Sequence, residues 1–560
     1  MVKGILNFFN REFSGLHQAA FLLSLASLAS QLLGLLRDRL LAHTFGASTV
    51  LDVYYAAFRI PDLIFVSVGS FLAVTVLIPI IIERSSRNDI IADKRFMDNL
   101  FTLFTLIMVP TMVVVFLFTP QLNRLFVPGF STSEQAQLLV AVRVLLFSPL
   151  LLGLSNLLGS VTQAKRKFMI FALCPILYNL GIIMGIVVFY PIWGFPGLVY
   201  GVVLGAFLHV AIQVPTIISS GLFPRFILDF NFEDIKVVIL RSLPRTLGLG
   251  ALQLAVTFLI MKASYMTSGS IAVFNFAYNL QSVPISLIGI SYSVAAFPLL
   301  SRLSAENKLE EFAQCVLVGI RHILFWVLPF VSLLIVLRAQ IVRVILGSGH
   351  FGWNDTRLTA ACLAVFALGV VFQSVVLMLD RSYYARHKTK VPVVTNLFGS
   401  LTIVVLALVL PSFFSIFPTL FSGIISFLKI SDVTGQEVLI LPLAYSIGAF
   451  ANFALEWFYL RRDLKFYFSG DLARTFSHIL LASLVMDITG HATLFVLAQY
   501  LNLNTFVGVL IQGTFAACIA ILSGVAVLVI LGNQEVHELA STFKKKLGFI
   551  SITIPNQDQL

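Results

Sequence analysis

The stretches Leu32–Ala47 (LLGLLRDRLLAHTFGA) and Asp52–Pro61 (DVYYAAFRIP) place charged side chains inside otherwise apolar helices. The charges that matter most are those of Arg37, Asp38, Asp52 and Arg59. An ionisable group at membrane depth costs about 3 kcal/mol or more, so such groups are rare and usually face a polar cavity. If the surrounding chain spans a membrane, this helical hairpin is therefore predicted to form part of a transport path.

The composition of the chain indicates a membrane protein. Of its 560 residues, 58% are hydrophobic and 11% are charged, whereas a soluble protein is about 25% charged. Apolar runs near the length of about 20 residues that a membrane helix needs recur along the whole chain. We therefore predict an all-α integral membrane protein with about fourteen spans, near 18–45, 50–82, 98–122, 135–163, 168–190, 195–220, 236–264, 270–300, 310–346, 357–384, 391–414, 438–460, 474–500 and 504–531.

Two segments resemble each other and indicate an internal duplication. Ala57-Phe58-Arg59 opens a segment that reaches Pro79, and Ala277-Tyr278-Asn279 opens a similar one that reaches Pro298. The predicted organisation is an N-terminal lobe at 1–220, an amphipathic cytoplasmic linker at 221–235, a C-terminal lobe at 236–465, an additional helix pair at 466–535 and a tail at 536–560. Parallel repeats of this kind place a transport site between the lobes.

The net charge of +11 is not the footprint of a nucleic-acid-binding surface, because the Lys and Arg residues recur in alternate connections between spans. The basic clusters lie at 84–95, 165–167, 386–390, 461–474 and 544–546. By the positive-inside rule these connections and both termini are predicted to be cytoplasmic.

Depth arithmetic makes the opening hairpin more specific. At 1.5 Å per residue, Arg37 lies about 12 Å and Arg59 about 10 Å below the same membrane surface. Two arginines at similar depth repel each other unless carboxylates or an anionic substrate lie between them, and Asp38 and Asp62 are available. One interpretation is a charge network that joins the two helices. The other is an anion-binding wall suited to phosphate, for which arginine offers a bidentate fork.

Three further residues are candidates for the same site. Asp52 either contributes to it or caps the second helix. Lys262, near the outer end of the seventh span, either complements the arginines from the opposite lobe or extends towards the membrane surface. Asn279 occupies the repeat position that corresponds to Arg59. Catalytic and metal-binding motifs are not found, so we predict neither an enzyme nor a cofactor.

The sequence resembles the MurJ/MviN lipid II flippases of the multidrug/oligosaccharidyl-lipid/polysaccharide exporter superfamily. The motifs that carry the resemblance are LGLLRD at 33–38, FGA at 45–47, AFRIPD at 57–62, FALCPILYN at 171–179 and FPLLSR at 297–302. The resemblance implies a V-shaped, two-lobed monomer in the bacterial cytoplasmic membrane. It also implies outward transport of an undecaprenyl-pyrophosphate-linked peptidoglycan precursor by alternating access, with the last two helices offering a groove for the lipid tail.

By motif match, Arg37 takes the place of a cavity arginine, Asp38 and Asp52 those of adjoining acids, and Arg59 that of a usual Lys or Arg. The chain departs from the family pattern at Gln31, Phe65, Val66, Val68 and Asn279. The predicted substrate-binding residues are Arg37, Asp38, Asp52, Arg59, Lys262 and Asn279.

Two other functions remain open at this stage. One is export of another lipid-linked oligosaccharide. The second is a membrane glycosyltransferase, for which only Asp52 and Glu437 offer a suitable carboxylate. The coupling ion is open as well.

Overall fold

The computed structural model describes residues 16–69, 77–78, 80–81, 90–165, 167–227, 232–464, 470–533 and 535–536. These residues form helices joined by short connections, and they contain no strand. The predicted all-α fold class is confirmed. The helices are α1 Leu16–Phe45, α2 Thr49–Ala57, α3 Arg59–Ser67, α4 Ile90–Phe126, α5 Thr132–Leu145, α6 Phe147–Ala164, α7 Phe168–Met184, α8 Phe195–Ala211, α9 Val214–Ser219, α10 Phe232–Ala263, α11 Ser270–Pro284, α12 Ser291–Ala305, α13 Leu309–Val336, α14 Arg338–Ile345, α15 Trp353–Ala385, α16 Lys390–Ile416, α17 Pro418–Phe427, α18 Ile440–Leu464, α19 Gly470–Leu497 and α20 Phe506–Ile530.

Eleven helical stretches of the described residues are long and apolar enough to cross a membrane. They are 91–126, 132–164, 168–193, 195–219, 270–305, 309–336, 353–385, 390–416, 436–464, 473–497 and 506–530. Each matches one of the predicted spans. Of the other three, 18–45 and 236–264 coincide with α1 and α10, which are 30 and 32 residues long. The span at 50–82 lies partly outside the described residues, so the count of fourteen stays a prediction.

The second helix of the opening hairpin is interrupted. Phe58 separates α2 from α3, where a continuous span was predicted. Pro61 has no amide hydrogen, so it cannot donate to the carbonyl of Ala57 and the hydrogen-bond ladder loses a rung there. The ladder resumes with the Asp62 N–H, which donates to the Phe58 carbonyl at 2.8 Å. Arg59 therefore stands at the interruption, as the first residue of α3.

Close packing joins α7, and the π-helical turn Gly185–Phe189 that continues it, to α8. Gly181 and Gly185 face Gly201 and Gly205 so closely that a Cβ atom at Gly181 would lie 2.3 Å from the Gly205 Cα. A Cβ at Gly201 would likewise lie 2.3 Å from the Gly185 Cα. Four-residue spacing of glycines is the usual means by which membrane helices bring their backbones into contact. This contact between α7 and α8 positions Tyr178 and Asn179, which lie just before Gly181 on α7.

The helices divide into two compact units. The first comprises Met1–Leu280, Ile345–Cys362 and Thr389–Asn452, and the second comprises Gln281–Val344, Leu363–Lys388 and Phe453–Leu560. Within the first unit, α1 packs against α7, and α10 packs against α3 and α16. Within the second, α19 packs against both α13 and α20. The predicted lobes, with boundaries at 220 and 465, stay a prediction.

The predicted linker at 221–235 lies partly outside the described residues, and so does the predicted tail after residue 536. The described start of the linker is held against α4. The Arg225 N–H donates to the Asp98 carboxylate at 2.6 Å, and the Ile227 N–H donates to the Thr102 hydroxyl at 3.0 Å.

Candidate substrate-binding cavity

A cavity of about 310 Å³ lies within the first unit, between α1, α2, α3, α7, α10 and α11. Its lining is polar and aromatic, with two arginines, one aspartate, three amides and four tyrosines. The lining residues are Arg37, Leu41, Tyr54, Tyr55, Phe58, Arg59, Asp62, Tyr178, Ile182, Gln253, Val256, Asn275, Tyr278 and Asn279. The structure thus brings Arg37, Arg59 and Asn279 of the predicted set to one cavity.

Arg37 is held by two neighbours through three hydrogen bonds. Its Nε and Nη2 atoms donate to Asp38 Oδ1 at 3.0 and 2.8 Å, and its Nη1 atom donates to Asn179 Oδ1 at 3.3 Å. The side chain of Asp38 is only 5% exposed, whereas that of Arg37 is 23% exposed. Two charge-assisted hydrogen bonds to one carboxylate oxygen hold the guanidinium strongly. Arg37 therefore presents a fixed and largely compensated charge to the cavity.

Asp38 lies behind Arg37 and does not line the cavity itself. Its second oxygen accepts a hydrogen bond from Asn279 Nδ2 at 3.0 Å. Asn279 thereby connects α11 to α1. A neutral amide donor satisfies the Asp38 carboxylate without adding charge to the cavity.

Arg59 is held more loosely than Arg37. Its Nη2 atom donates to Asn275 Oδ1 at 2.5 Å, while its buried Nε has no hydrogen-bond partner among the described residues. The Asn275 amide in turn donates to the Ile271 carbonyl at 2.7 Å, which turns its oxygen towards Arg59. Asp62 lines the same cavity and interacts with Arg59 electrostatically, without a hydrogen bond to it.

Three buried donors of the cavity lack an acceptor within the described part of the chain. They are the hydroxyl of Tyr55, Nε of Arg59 and Nε2 of Gln253. A buried donor without a partner costs about 1–3 kcal/mol. Each of these atoms has less than 1 Å² of accessible surface, so an anion with acceptor oxygens would pair with it only after the side chain turns into the cavity.

Asp52 lies outside the cavity lining and serves a different helix from the one proposed. Its two carboxylate oxygens accept from the N–H groups of Gly269 and Ala272, at 2.6 and 2.8 Å. These amides stand at the start of α11, where backbone donors have no partner within the helix and negative charge is favourable. Asp52 therefore caps α11, whereas the second helix was the one expected to be capped.

Lys262 also lies away from the cavity lining. It sits nine residues beyond Gln253 on α10, about 13 Å along the helix axis, and its Nζ lies 5.8 Å from the centre of the Phe258 ring. Its head group thus lies over an aromatic ring of its own helix, near the end of α10.

Asn179, Asn275, Gln253 and Tyr55 were not among the predicted site residues. A signal for Asn275 was present, because it precedes Asn279 by four residues and so shares its helix face. Asn179 closes the FALCPILYN motif. Gln253 gave no signal beyond being a polar residue in an apolar helix.

The family model for lipid II flippase MurJ matches residues 41–515. The chain belongs to the MurJ family. A probable lipid II flippase MurJ of Buchnera aphidicola subsp. Acyrthosiphon pisum is 26% identical over 520 residues, covering 91% of this chain and 96% of that protein. The lipid II flippase MurJ of Burkholderia cenocepacia is 24% identical over 388 residues, covering 68% and 75%.

Solved structures agree with the MurJ family fold. A lipid II flippase MurJ in an inward closed conformation matches with a TM-score of 0.71 and 22% identity, covering 94% of this chain and 99% of that one. An inward-facing multidrug resistance MATE family transporter of the MOP superfamily matches with a TM-score of 0.63 and 14% identity, covering 78% and 94%. The chain therefore has the fold of MurJ and, more distantly, of MATE transporters.

Proposed function

We propose that the chain translocates lipid II, a polyprenyl-pyrophosphate-linked peptidoglycan precursor, across the bacterial cytoplasmic membrane. Membership of the MurJ family supports this proposal, and so do the names of the relatives, which are lipid II flippases. The observation that carries it to particular residues is the cavity in the first unit.

The cavity is suited to a pyrophosphate because its two guanidinium groups and its unpaired donors outnumber the single carboxylate among the described lining residues, that of Asp62. Tyr55, Arg59 and Gln253 all line the cavity, and each carries an unpaired donor that would pair with a phosphate oxygen once its side chain turns into the cavity. Arg37 adds a positive charge whose orientation Asp38 fixes in advance. Such preorganised donors bind an anion without the cost of ordering side chains at the moment of binding.

Alternating access completes the proposed cycle. The cavity would take up the head group from the cytoplasmic side and release it on the other side, with both termini cytoplasmic and the chain acting as a monomer. No bond is made or broken in such a cycle. The two carboxylates considered for a glycosyltransferase suit catalysis poorly, since Asp52 is engaged by backbone N–H groups and Glu437 is exposed.

The test is rescue of a bacterial host depleted of its own lipid II flippase. The wild-type chain should restore growth, and the double variant Arg37→Ala with Arg59→Ala should not, at equal abundance in the membrane. Arg357→Ala is the matched control, because that arginine pairs with Asp432 far along the chain and does not line the cavity. Rescue by the double variant would show that the site assignment is wrong, and glycan polymerisation by the purified chain would contradict the transporter.

A further inference from the structure

The second unit contains two carboxyl groups that meet away from solvent. Asp380 belongs to α15 and Glu456 to α18, and their side chains lie at hydrogen-bonding distance. Glu456 is 0% exposed. Neither of its carboxyl oxygens has an N–H or O–H donor among the described residues.

The contact between the two buried carboxyl groups is favourable only if one of them carries a proton. Two carboxyl oxygens are both acceptors, so their contact is a hydrogen bond only when one of the two groups carries a proton. Two adjacent carboxylates cannot both stay ionised in a buried site, because like charges repel strongly there. The pair then titrates as one unit that exchanges a single proton.

A metal ion fits the pair less well than a proton. No group of three or more His, Cys, Asp or Glu side chains placed to hold a metal occurs in the described ranges. Hard cations such as those that bind carboxylates require a larger shell of oxygen ligands than two side chains supply.

We propose that Asp380 and Glu456 form a proton-binding site, and that the release and rebinding of this proton accompany each transport cycle. The inference rests on the proposed function for its coupling part, since a proton can drive only a step that the protein performs. The binding part stands on the geometry of the pair alone.

The ends of α15 and α18 offer the proton a route to the membrane surface. Arg386 and Lys388 both pair with Asp463, at 3.6 and 2.6 Å, which joins the two helix ends. Asp380 lies about 8 Å before the end of α15 and Glu456 about 12 Å before the end of α18, at 1.5 Å per residue. The pair thus sits one to two helical turns inside a charged cluster.

Tyr383 lies near both the carboxyl pair and the charged cluster at the helix ends. It follows Asp380 by three residues, is fully buried, and its hydroxyl has no partner within the described part of the chain. It lies within electrostatic range of both Glu456 and Asp463. The hydroxyl makes no hydrogen bond to the pair or to the cluster within the described residues, so it would relay the proton only after turning to accept it from the pair and donate its own proton outward. The titratable and charged groups around this route are Tyr383, Arg381, Arg386, Lys388, Tyr459 and Asp463.

The first experiment measures the proton directly. Infrared spectra of the purified full-length chain in lipid should contain the carbonyl absorption of a protonated carboxyl group at neutral pH. Glu456→Gln and Asp380→Asn should each abolish it, whereas Glu437→Gln, a change at an exposed carboxylate, should leave it intact. Absence of the absorption in the wild type, or its persistence in both variants, would overturn the proposal. So would its loss on adding sodium chloride at constant pH, which would assign the pair to a metal cation.

The second experiment separates coupling from transport. Liposomes that contain the protein and a pH-sensitive dye receive lipid II, and flipping and proton movement are followed together. Wild type should show both, Glu456→Gln should lose the proton movement, and Arg37→Ala with Arg59→Ala should lose both while keeping the carboxyl absorption. Flipping by wild type without proton movement would overturn the coupling. Failure of flipping with an intact carboxyl absorption would instead count against the proposed function.

Discussion

The two arginines of the cavity differ in how the protein holds them. Arg37 donates three hydrogen bonds to Asp38 and Asn179, and the buried Asp38 carboxylate compensates its charge. Within the described part of the chain, Arg59 makes one hydrogen bond, to a neutral amide, and keeps a buried Nε without a partner. Both guanidinium groups line one cavity, but the charge of Arg37 is compensated within the protein, whereas that of Arg59 is not paired with a carboxylate by a hydrogen bond among the described residues.

The difference teaches that charge and available donors need not come from the same residue. Arg37 with Asp38 acts as a rigid wall that sets the potential and shape of the cavity. Arg59, with the free donors of Tyr55 and Gln253, is the group that an anion can engage. These contacts do not form the charge network predicted to join the first two helices, because Arg37 pairs with Asp38 of its own helix. The anion-binding hypothesis stays a prediction, and it rests on Arg59.

The largest effect is expected when Arg59 receives the internal carboxylate that Arg37 already has. Asn275→Asp places an acidic oxygen where the amide oxygen now accepts from Arg59. Occupying that guanidinium should weaken lipid II binding by about 2–5 kcal/mol, the range for losing one partner of a buried charge pair. Binding to the purified protein in detergent measures it.

Asn179→Asp is the matched control for that change. Asn179 accepts from Arg37 and donates to the Pro175 carbonyl four residues earlier, as Asn275 does for Arg59 and Ile271. Because Asp38 already compensates Arg37, this control should weaken binding far less. Equal losses in the two variants would contradict the distinction between the arginines.

The next effect concerns stability and Asp38. Asp38→Ala leaves the Arg37 guanidinium without its carboxylate and should reduce the free energy of unfolding by about 3 kcal/mol. Thermal unfolding in detergent measures the change, with Asp38→Asn as the variant that keeps an acceptor oxygen. An unchanged midpoint in Asp38→Ala would show that the pair does not form a rigid wall.

A smaller loss is expected at Asp52, which neighbours the hairpin but does not line the cavity. Asp52→Ala removes the cap of α11 and should lower the free energy of unfolding by about 1 kcal/mol. Lipid II binding should stay at the wild-type level once the protein is folded. A selective loss of binding at unchanged stability would return Asp52 to the substrate site.

The smallest effect on stability is expected at an ion pair that does not line the cavity. The Arg357 guanidinium, 2.5 Å from Asp432, lowers the pKa of that carboxyl to about 2. The unfolded chain has a pKa of about 4 there, so the stabilisation is complete above that pH and is lost as the pH falls towards 2. Asp432→Asn should flatten the pH dependence of the unfolding midpoint in this window. A slope equal to that of wild type would exclude the pair as its source.

Much of the fold could be predicted from the sequence, because apolar run length alone fixes where a helix can span a membrane. Eleven predicted spans coincide with helices of the structure. The interruption at Phe58 was not predicted, although Pro61 lies three residues away, because membrane helices often tolerate proline without breaking. A local pattern cannot tell which proline interrupts a helix.

The candidate site was only partly predictable for a similar reason. Arg37, Arg59 and Asn279 meet in the cavity, as charge at membrane depth suggested. The partners of Asp52 lie more than two hundred residues away in the chain, which periodicity does not encode. Lys262 lies over Phe258 of its own helix and away from the cavity lining, a position that depends on how α10 is placed beside the cavity. The free donors of Tyr55 and Gln253 emerge only when all neighbouring acceptors are known.

Binding of lipid II to the purified full-length chain tests the central claim most directly. Affinity should be compared between wild type, Arg59→Gln and Arg37→Gln, each confirmed to be folded by its thermal unfolding. If Arg59 is the available donor of an anion-binding cavity, Arg59→Gln loses binding and its effect exceeds that of Arg37→Gln. Wild-type affinity in Arg59→Gln would contradict the account.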